Sequence, residues 1–439
     1  MKLLLIGSGA REHAIARAVT RSPQNPALYC LAGSVNPGIK ELCTGYLVGD
    51  INQPDAVVSF ARDSAVNLAI VGPEAPLAAG VADALWASSI PCVGPKQALA
   101  QLETSKAFTR NLLSKHAVPG CPRYKVFNSM EGVADFLEDL GDLFVVKYDG
   151  LMGGKGVKVA GDHLAGHAEA IAYCRELVDG AKSFVIEEKL IGEEFSLMSF
   201  CDGRHLAHMP AVQDHKRAFE GDTGPNTGGM GSYSAADHSL PFLTTQDIAE
   251  AQTINKATMQ ALEREFGEGY KGILYGGFIA TADGVQLIEY NARFGDPECM
   301  NVLAILESDF VAICQAIVDG NLHQDLARFA PLATVCKYAV PEGYPDVPVK
   351  NQPIDISGVR NHEQLYLAAV DQRADGLYET GSRTAAVVGI ADTLSAAEAL
   401  AQAEIERIAG PLFYRQDIGT AELVQKRIEQ MKKLRGMSA

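Results

Sequence analysis

The chain has 439 residues, of which 47% are hydrophobic, 21% charged and 7% aromatic, the profile of a folded globular protein and not of a disordered or fibrous one. At roughly 150 residues per domain this length suggests about three domains. Against 38 Lys+Arg stand 54 Asp+Glu, a net charge of −16, which is the wrong sign for a protein whose main partner is a phosphate backbone and argues against nucleic-acid or membrane-surface binding. The nine cysteines form no CxxC pair, so reduced, mostly buried thiols are expected. No charged-then-apolar leader and no 18-residue apolar run are present, and the expected location is the cytoplasm.

The first hundred residues alternate strand and helix. Leu3-Leu4-Leu5-Ile6 is a continuous apolar run suited to a buried parallel strand, followed by the turn Gly7-Ser8-Gly9 and a helix over 11–21. Further strands are expected at 28–31, 68–71 and 90–93, each ending near glycine, which predicts a doubly wound parallel sheet with ligand-binding loops at its carboxyl edge. Residues 97–116 carry one long helical pattern. A small α+β unit is expected over 123–190: strand 144–147, a glycine-rich loop over 148–156, a return strand over 157–160, and another strand at 184–186. A polar, glycine-rich stretch covers 214–233, and a helix 248–266. Two strands, 272–280 and 285–291, flank the turn Ala282-Asp283-Gly284. One long helix over 300–318 follows, then a proline-rich connection at 341–353, a strand at 385–390 and a helix at 394–408.

Three constellations carry chemistry. The turn Gly7-Ser8-Gly9-Ala10-Arg11-Glu12 departs from a dinucleotide fingerprint at Glu12, leaving either an anion site at a helix N-terminus or a turn for close packing. Gly150-Leu151-Met152-Gly153-Gly154-Lys155-Gly156 is not Walker A. It is either a glycine hairpin cradling a polyphosphate with Lys155 and Lys147, or an exposed hairpin. In the strand at 285–291, period-two alternation places Val285, Leu287, Glu289 and Asn291 on one face. Two adjacent oxygen donors suit Mg²⁺, while an ion pair between Glu289 and Arg293 is the alternative. His215, in a polar loop, carries no assignment.

These pieces, in this order, resemble the phosphoribosylamine–glycine ligase family (glycinamide ribonucleotide synthetases) of the ATP-grasp superfamily. The most specific match is Arg293-Phe294-Gly295-Asp296-Pro297-Glu298, supported by the segments at 9–14, 71–77, 213–219, 225–231 and 413–419, so the likeness runs nearly end to end. It implies an α/β and α+β multidomain fold: an N-terminal substrate domain (1–103), a two-part ATP-grasp core (104–330, with 123–190 as a small lid), and a C-terminal α+β domain (331–439).

The resemblance also implies an ATP-dependent ligase of purine biosynthesis joining glycine to phosphoribosylamine through glycyl phosphate, acting on small molecules as a monomer. ATP is expected to meet Lys106, Lys147, Gly153, Gly154, Lys155, Gly156, Glu187, Glu188, Lys189, Leu190 and Glu194. Mg²⁺ or Mn²⁺ is expected on Glu289 and Asn291. The other substrates are expected on Gly9, Arg11, Glu12, Pro73, Glu74, Ala75, Pro76, Asp214, Lys216, Asn226, Thr227, Gly228, Arg293 and Asp296, with Arg293, Asp214 and Lys155 in catalytic roles. The chain departs from the family's usual pattern at Ala10, Tyr148, Met152, Gly153 and Met300. Met300, where a polar residue is common, is expected to remove a hydrogen bond near the metal.

Overall fold

A computed structural model describes residues 1–152 and 156–436. The N-terminal run forms the strand Lys2–Ile6 at the centre of a five-stranded parallel sheet, flanked by Ala27–Ala32 and Gly45–Val48 on one side and Leu68–Val71 and Cys92–Val93 on the other. Leu3 and Leu5 enter one hydrophobic core while Leu4 and Ile6 enter another, which is why the run does not alternate. The helix Ala10–Thr20 follows the glycine turn.

The long helix expected over 97–116 is two helices, Gln97–Thr104 and Lys106–Lys115. Ser105 leaves helical geometry at φ −138° and ψ 113°, and its hydroxyl accepts the Phe108 N–H at 3.0 Å. A serine that caps the following turn interrupts the pattern without disturbing its apolar spacing. The expected helix over 300–318 likewise divides into Glu298–Ala304 and Phe310–Asp319, the second capped by Asp309, whose carboxylate accepts the Val311 N–H at 3.0 Å.

Two antiparallel sheets face the main cavity. The smaller has the order Tyr124–Phe127, Phe184–Glu188, Phe144–Tyr148, Val157–Val159. The hairpin between the last two holds Gly153, Gly154 and Lys155, which lie outside the described residues. The larger has the order Leu206–His208, Glu193–Asp202, Lys271–Thr281, Gly284–Asn291, and the helix Thr245–Phe266 packs against its last two strands.

Short strands in the polar stretch tie it to the C-terminal segment. Gln213–Asp214 and Gly231–Ser234 continue the sheet formed by Ala333–Pro341, Ala385–Ala391 and Leu365–Leu367. The helix Leu394–Ile405 lies so close to this sheet at Gly389 that a Cβ there would overlap the carbonyl of Ala397. Backbone cannot yield as a flexible side chain does, so Gly389→Ala is expected to cost about 1–3 kcal/mol, read as a lower urea midpoint. An unchanged midpoint would contradict this packing.

Candidate active site

A cavity of about 760 Å³ opens between the two antiparallel sheets and extends to the N-terminal sheet edge and the C-terminal segment. Its deepest polar feature is a buried ion cluster. Arg110 Nε and Nη2 reach the two Glu187 oxygens at 2.7 and 2.8 Å, and Lys147 Nζ lies 2.7 Å from Glu187 Oε2. Burial alone would push the Glu187 carboxyl up, but the two cations outweigh it and hold the group at about 2. Burial pushes the Lys147 ammonium down, opposed by Glu187. Lys106, on the first turn after Ser105, donates to Gly150 O at 2.7 Å and so reaches the base of the glycine hairpin.

Glu289 and Asn291 do share a face toward the cavity, but not the face of Val285 and Leu287 predicted by simple alternation. Gly277 opposes Glu289 while Phe278 opposes Leu287, which leaves Ile288 unpaired in a β-bulge. Burial accordingly falls on Val285, Leu287 and Tyr290. The Tyr290 hydroxyl turns to the helix Thr245–Phe266, 2.9 Å from Thr258 Oγ1 and 3.0 Å from Asn255 Oδ1. The extra residue reverses the phase of the strand, so Glu289 and Asn291 line the cavity while Tyr290 fills the core. Burial raises the Glu289 carboxyl, but Lys216 at 3.7 Å, with Lys147, Lys106 and Arg293, brings it below its ordinary value. An ionised carboxylate beside an amide is a hard-oxygen donor pair that suits a small divalent cation completing its shell with phosphate and water.

Arg293 does not pair with Glu289. Its Nη2 lies 2.9 Å from Glu103 Oε1 and its Nε 3.4 Å from Glu74 Oε2, and Glu103 also accepts the Ala292 N–H at 2.7 Å. The guanidinium is thus aimed into the cavity by carboxylates from other elements. Arg11 and Pro73 line the same end. Gly9, Glu12, Ala75 and Pro76 do not. Glu12 turns inward, where its carboxylate accepts the Gly9 N–H at 2.6 Å and pairs with Arg11 at 2.7 Å. A Cβ at Gly72 would overlap that carboxylate. The glycine turn therefore serves close packing around a buried acid, and Gly9 has its amide occupied.

The acidic end holds Asp214, Asp296 and Glu298. Asp214 Oδ1 is buried with no partner among the described residues, and burial followed by Glu298 pushes this carboxyl well above its ordinary value. Tyr275 donates to Glu298 at 2.6 Å and Tyr338 to Asp296 at 2.7 Å. Lys216, Asn226, Thr227 and Gly228 line the same region, as do Glu188, Lys189, Leu190, Glu194 and Gly156 toward the small sheet. His215 is buried with neither ring nitrogen partnered, and burial pushes it down to about 3. Met300 is fully buried in the hydrophobic core and does not line the cavity, so its side chain answers to packing and not to Glu289 and Asn291.

Four arginines outside the sequence-derived set line the cavity: Arg110, Arg217, Arg383 and Arg427. Arg383 Nη1 donates to Gly228 O, Gly229 O and Asp296 O at 2.6, 3.2 and 2.9 Å. Arg427, from the helix Ala421–Leu434, pairs with Asp222 and sits 3.3 Å from Glu193, whose carboxyl burial pushes up to about 7 against that pairing. Arg383 and Arg427 act from 155 or more positions away from their partners on the 193–228 stretch, and only the fold brings them in. Arg110 gave a nearer signal, since its helical position one turn beyond Lys106 places both on related faces.

Residues 1–103 match the phosphoribosylglycinamide synthetase N domain, 104–299 its ATP-grasp (A) domain and 334–421 its C domain. A phosphoribosylamine–glycine ligase of Methanosarcina barkeri is 52% identical over 436 residues, covering 99% of this chain and 100% of that protein. The crystal structure of phosphoribosylamine–glycine ligase from Thermotoga maritima superposes with a TM-score of 0.81 at 26% identity, covering 95% and 100% of the two chains. The biotin carboxylase domain of Hydrogenobacter thermophilus 2-oxoglutarate carboxylase, solved with MgADP, shares the fold at 14% identity and a TM-score of 0.72, over 98% of this chain and 93% of that one.

Glu187 is held at about 2 against an ordinary 4.5, so its stabilisation is complete above pH 4.5 and is lost as pH falls through about 2. Glu187→Gln leaves two buried cations uncompensated and is expected to cost about 3–5 kcal/mol at pH 7. Urea unfolding at a series of pH values should show the gap from wild type narrowing between pH 4.5 and 2; a gap independent of pH would contradict the assignment.

Proposed function

The chain belongs to the phosphoribosylglycinamide synthetase family, and from that premise we propose that it joins glycine to phosphoribosylamine at the expense of ATP, forming an amide in purine biosynthesis. The observation that carries this reading is the convergence, in one cavity, of Lys106 and Lys147, the carboxylate–amide donor pair Glu289 and Asn291, and Arg293 aimed by carboxylates. Residues 1–103, 104–330 and 331–439 serve as the substrate domain, the ATP-grasp core and the closing domain. No helix among the described residues is long and apolar enough to cross a membrane. The proposed setting is the cytoplasm, with the chain acting as a monomer on small molecules.

ATP lies between the two antiparallel sheets. Val145 and Val159, paired across neighbouring strands of the small sheet, line the cavity and supply an apolar wall for the base, with Glu188, Lys189 and Leu190 beside it. Glu187 serves by holding Lys147 and Arg110, and does not itself face the base. Glu194, an exposed carboxylate on the facing sheet, takes the ribose hydroxyls. Lys106 and Lys147 neutralise phosphate oxygens, as does Lys155 from the hairpin. Glu289 and Asn291 would hold a divalent cation, Mg²⁺ or Mn²⁺, which when bound supplies charge neutralisation between phosphate groups.

The carboxylate of glycine is a poor electrophile. Its oxygen attacks the γ-phosphorus, the bond to the β,γ-bridging oxygen breaks, and ADP and glycyl phosphate result. The amine of phosphoribosylamine then attacks the acyl carbon, phosphate leaves with the bonding electrons, and the amine loses a proton as the amide forms. Catalysis is positioning and charge neutralisation, with no covalent enzyme nucleophile. Arg293, fixed by Glu103 and Glu74, faces the transferring phosphoryl group. Asp214 and Asp296 face the ammonium of glycine, a cation whose arrival would offset the burial and the Glu298 charge that push the Asp214 carboxyl up. Arg11, Pro73 and Glu74 border the sugar phosphate, as do Lys216, Asn226, Thr227 and Gly228 around the acceptor.

The direct test is ADP release with ATP, Mg²⁺, glycine and phosphoribosylamine generated in situ. Release that requires both glycine and the amine supports the reading, and release indifferent to glycine sinks it. Glu289→Gln should abolish turnover while leaving the unfolding midpoint near wild type, and Arg293→Ala should lower kcat about 100- to 1,000-fold, the scale for removing one preorganised donor to developing charge.

A further inference from the structure

The bulge at Ile288 determines which way Glu289 and Asn291 face, so whatever holds the bulge holds the metal pair. A bulged residue loses its place in the ladder, and its carbonyl needs another donor. Ile288 O accepts two: Arg110 Nη2 at 2.7 Å and Lys147 Nζ at 3.1 Å. Both bonds are charge-assisted, the stronger kind, and partly buried.

The two donors differ in freedom. Lys147 lines the cavity where phosphate is expected, and a compact ammonium drawn to an anion gives up part of its hold on a neutral carbonyl. Arg110 is fixed by a planar fork on Glu187, and its Nη2 spans Glu187 and Ile288 O together. On the core side Tyr290 is anchored to Asn255 and Thr258. The strand at 288–291 is therefore pinned at the core by Tyr290 and at the cavity by Ile288 O.

We propose that Arg110 is a positioning residue for the metal pair: through Ile288 O it fixes the bulge that turns Glu289 and Asn291 into the cavity, and it keeps that hold when nucleotide engages Lys147. This rests on the metal assignment made above. Arg110 touches neither substrate nor metal in this role. Glu187 acts one step farther back, aligning the guanidinium.

The test separates metal affinity from folding and from turnover. Binding of ADP with and without Mg²⁺ is measured by calorimetry for wild type, Arg110→Gln and Arg110→Lys, beside the Mg²⁺ concentration giving half-maximal ADP release. Loss of a group that orients metal ligands typically costs about 10- to 100-fold in metal affinity. Arg110→Gln should therefore lose most of the tightening of ADP by Mg²⁺ and need about 10-fold or more Mg²⁺, with KM for glycine within about twofold of wild type. Arg110→Lys, which keeps the charge but not the fork, should fall between, and it carries the test if Arg110→Gln does not fold.

Wild-type Mg²⁺ dependence in a folded variant with a merely lower unfolding midpoint would overturn the proposal, since that is what a structural role alone produces. Wild-type protein in which Mg²⁺ tightens ADP but no glycine-dependent release occurs would sink the ligase reading while leaving the binding arm to decide the role of Arg110. Wild-type protein showing no effect of Mg²⁺ on ADP binding overturns both the metal pair and the role of Arg110.

Discussion

The carbonyl oxygen of Ile288 is the point on which the site depends. Two cations reach it, one carboxylate aligns both, and the bulge they cap reverses the phase of the strand beyond it. Without that reversal Glu289 would face the helix Thr245–Phe266 and Tyr290 the cavity, a buried unpaired carboxylate on one side and a misplaced phenol on the other. The Arg110, Glu187 and Lys147 cluster is expensive to bury and strongly destabilising to break. Here it links the strand of the small sheet that holds Glu187 to the strand of the large sheet that holds Glu289 and Asn291, so the groups that face the cavity from the two sheets are held in register.

The protein carries a net charge of −16 yet its proposed substrates are anions. The cavity resolves this locally. Lys106, Lys147, Lys216, Arg11, Arg110, Arg293, Arg383 and Arg427 all line it, and each guanidinium is set by carboxylates or carbonyls behind it. The overall field gives no steering toward the site; under the proposed function, preorganised short-range contacts and a bound divalent cation would carry recognition. At the acidic end, Asp214 Oδ1 is buried with no partner among the described residues.

Much of this was legible in the residues. The continuous apolar strand, the glycine hairpin, the two strands around Asp283 and the donor pair Glu289 and Asn291 all follow from local pattern. The failures have local causes too. Ser105 and Asp309 break helices whose apolar spacing runs straight through the break, because a cap changes the backbone and not the periodicity. The bulge leaves no mark that period-two counting can see, so Glu289 and Asn291 do share a face, but not the one that alternation gives them. Arg383 and Arg427 belong to the site only through a sheet and a helix far along the chain, and Glu12, in a glycine turn that resembles an anion site, is consumed by its own helix N-terminus. Met300, read as a change near the metal, is a core residue.

A crystal structure with a non-hydrolysable ATP analogue and Mg²⁺ is the most direct test of the whole arrangement. The account predicts a cation bound by Glu289 and Asn291 together with phosphate oxygens, Lys147 on a phosphate, and Arg110 still on Ile288 O. A cation held elsewhere, or Glu289 turned away with the bulge lost, would contradict it.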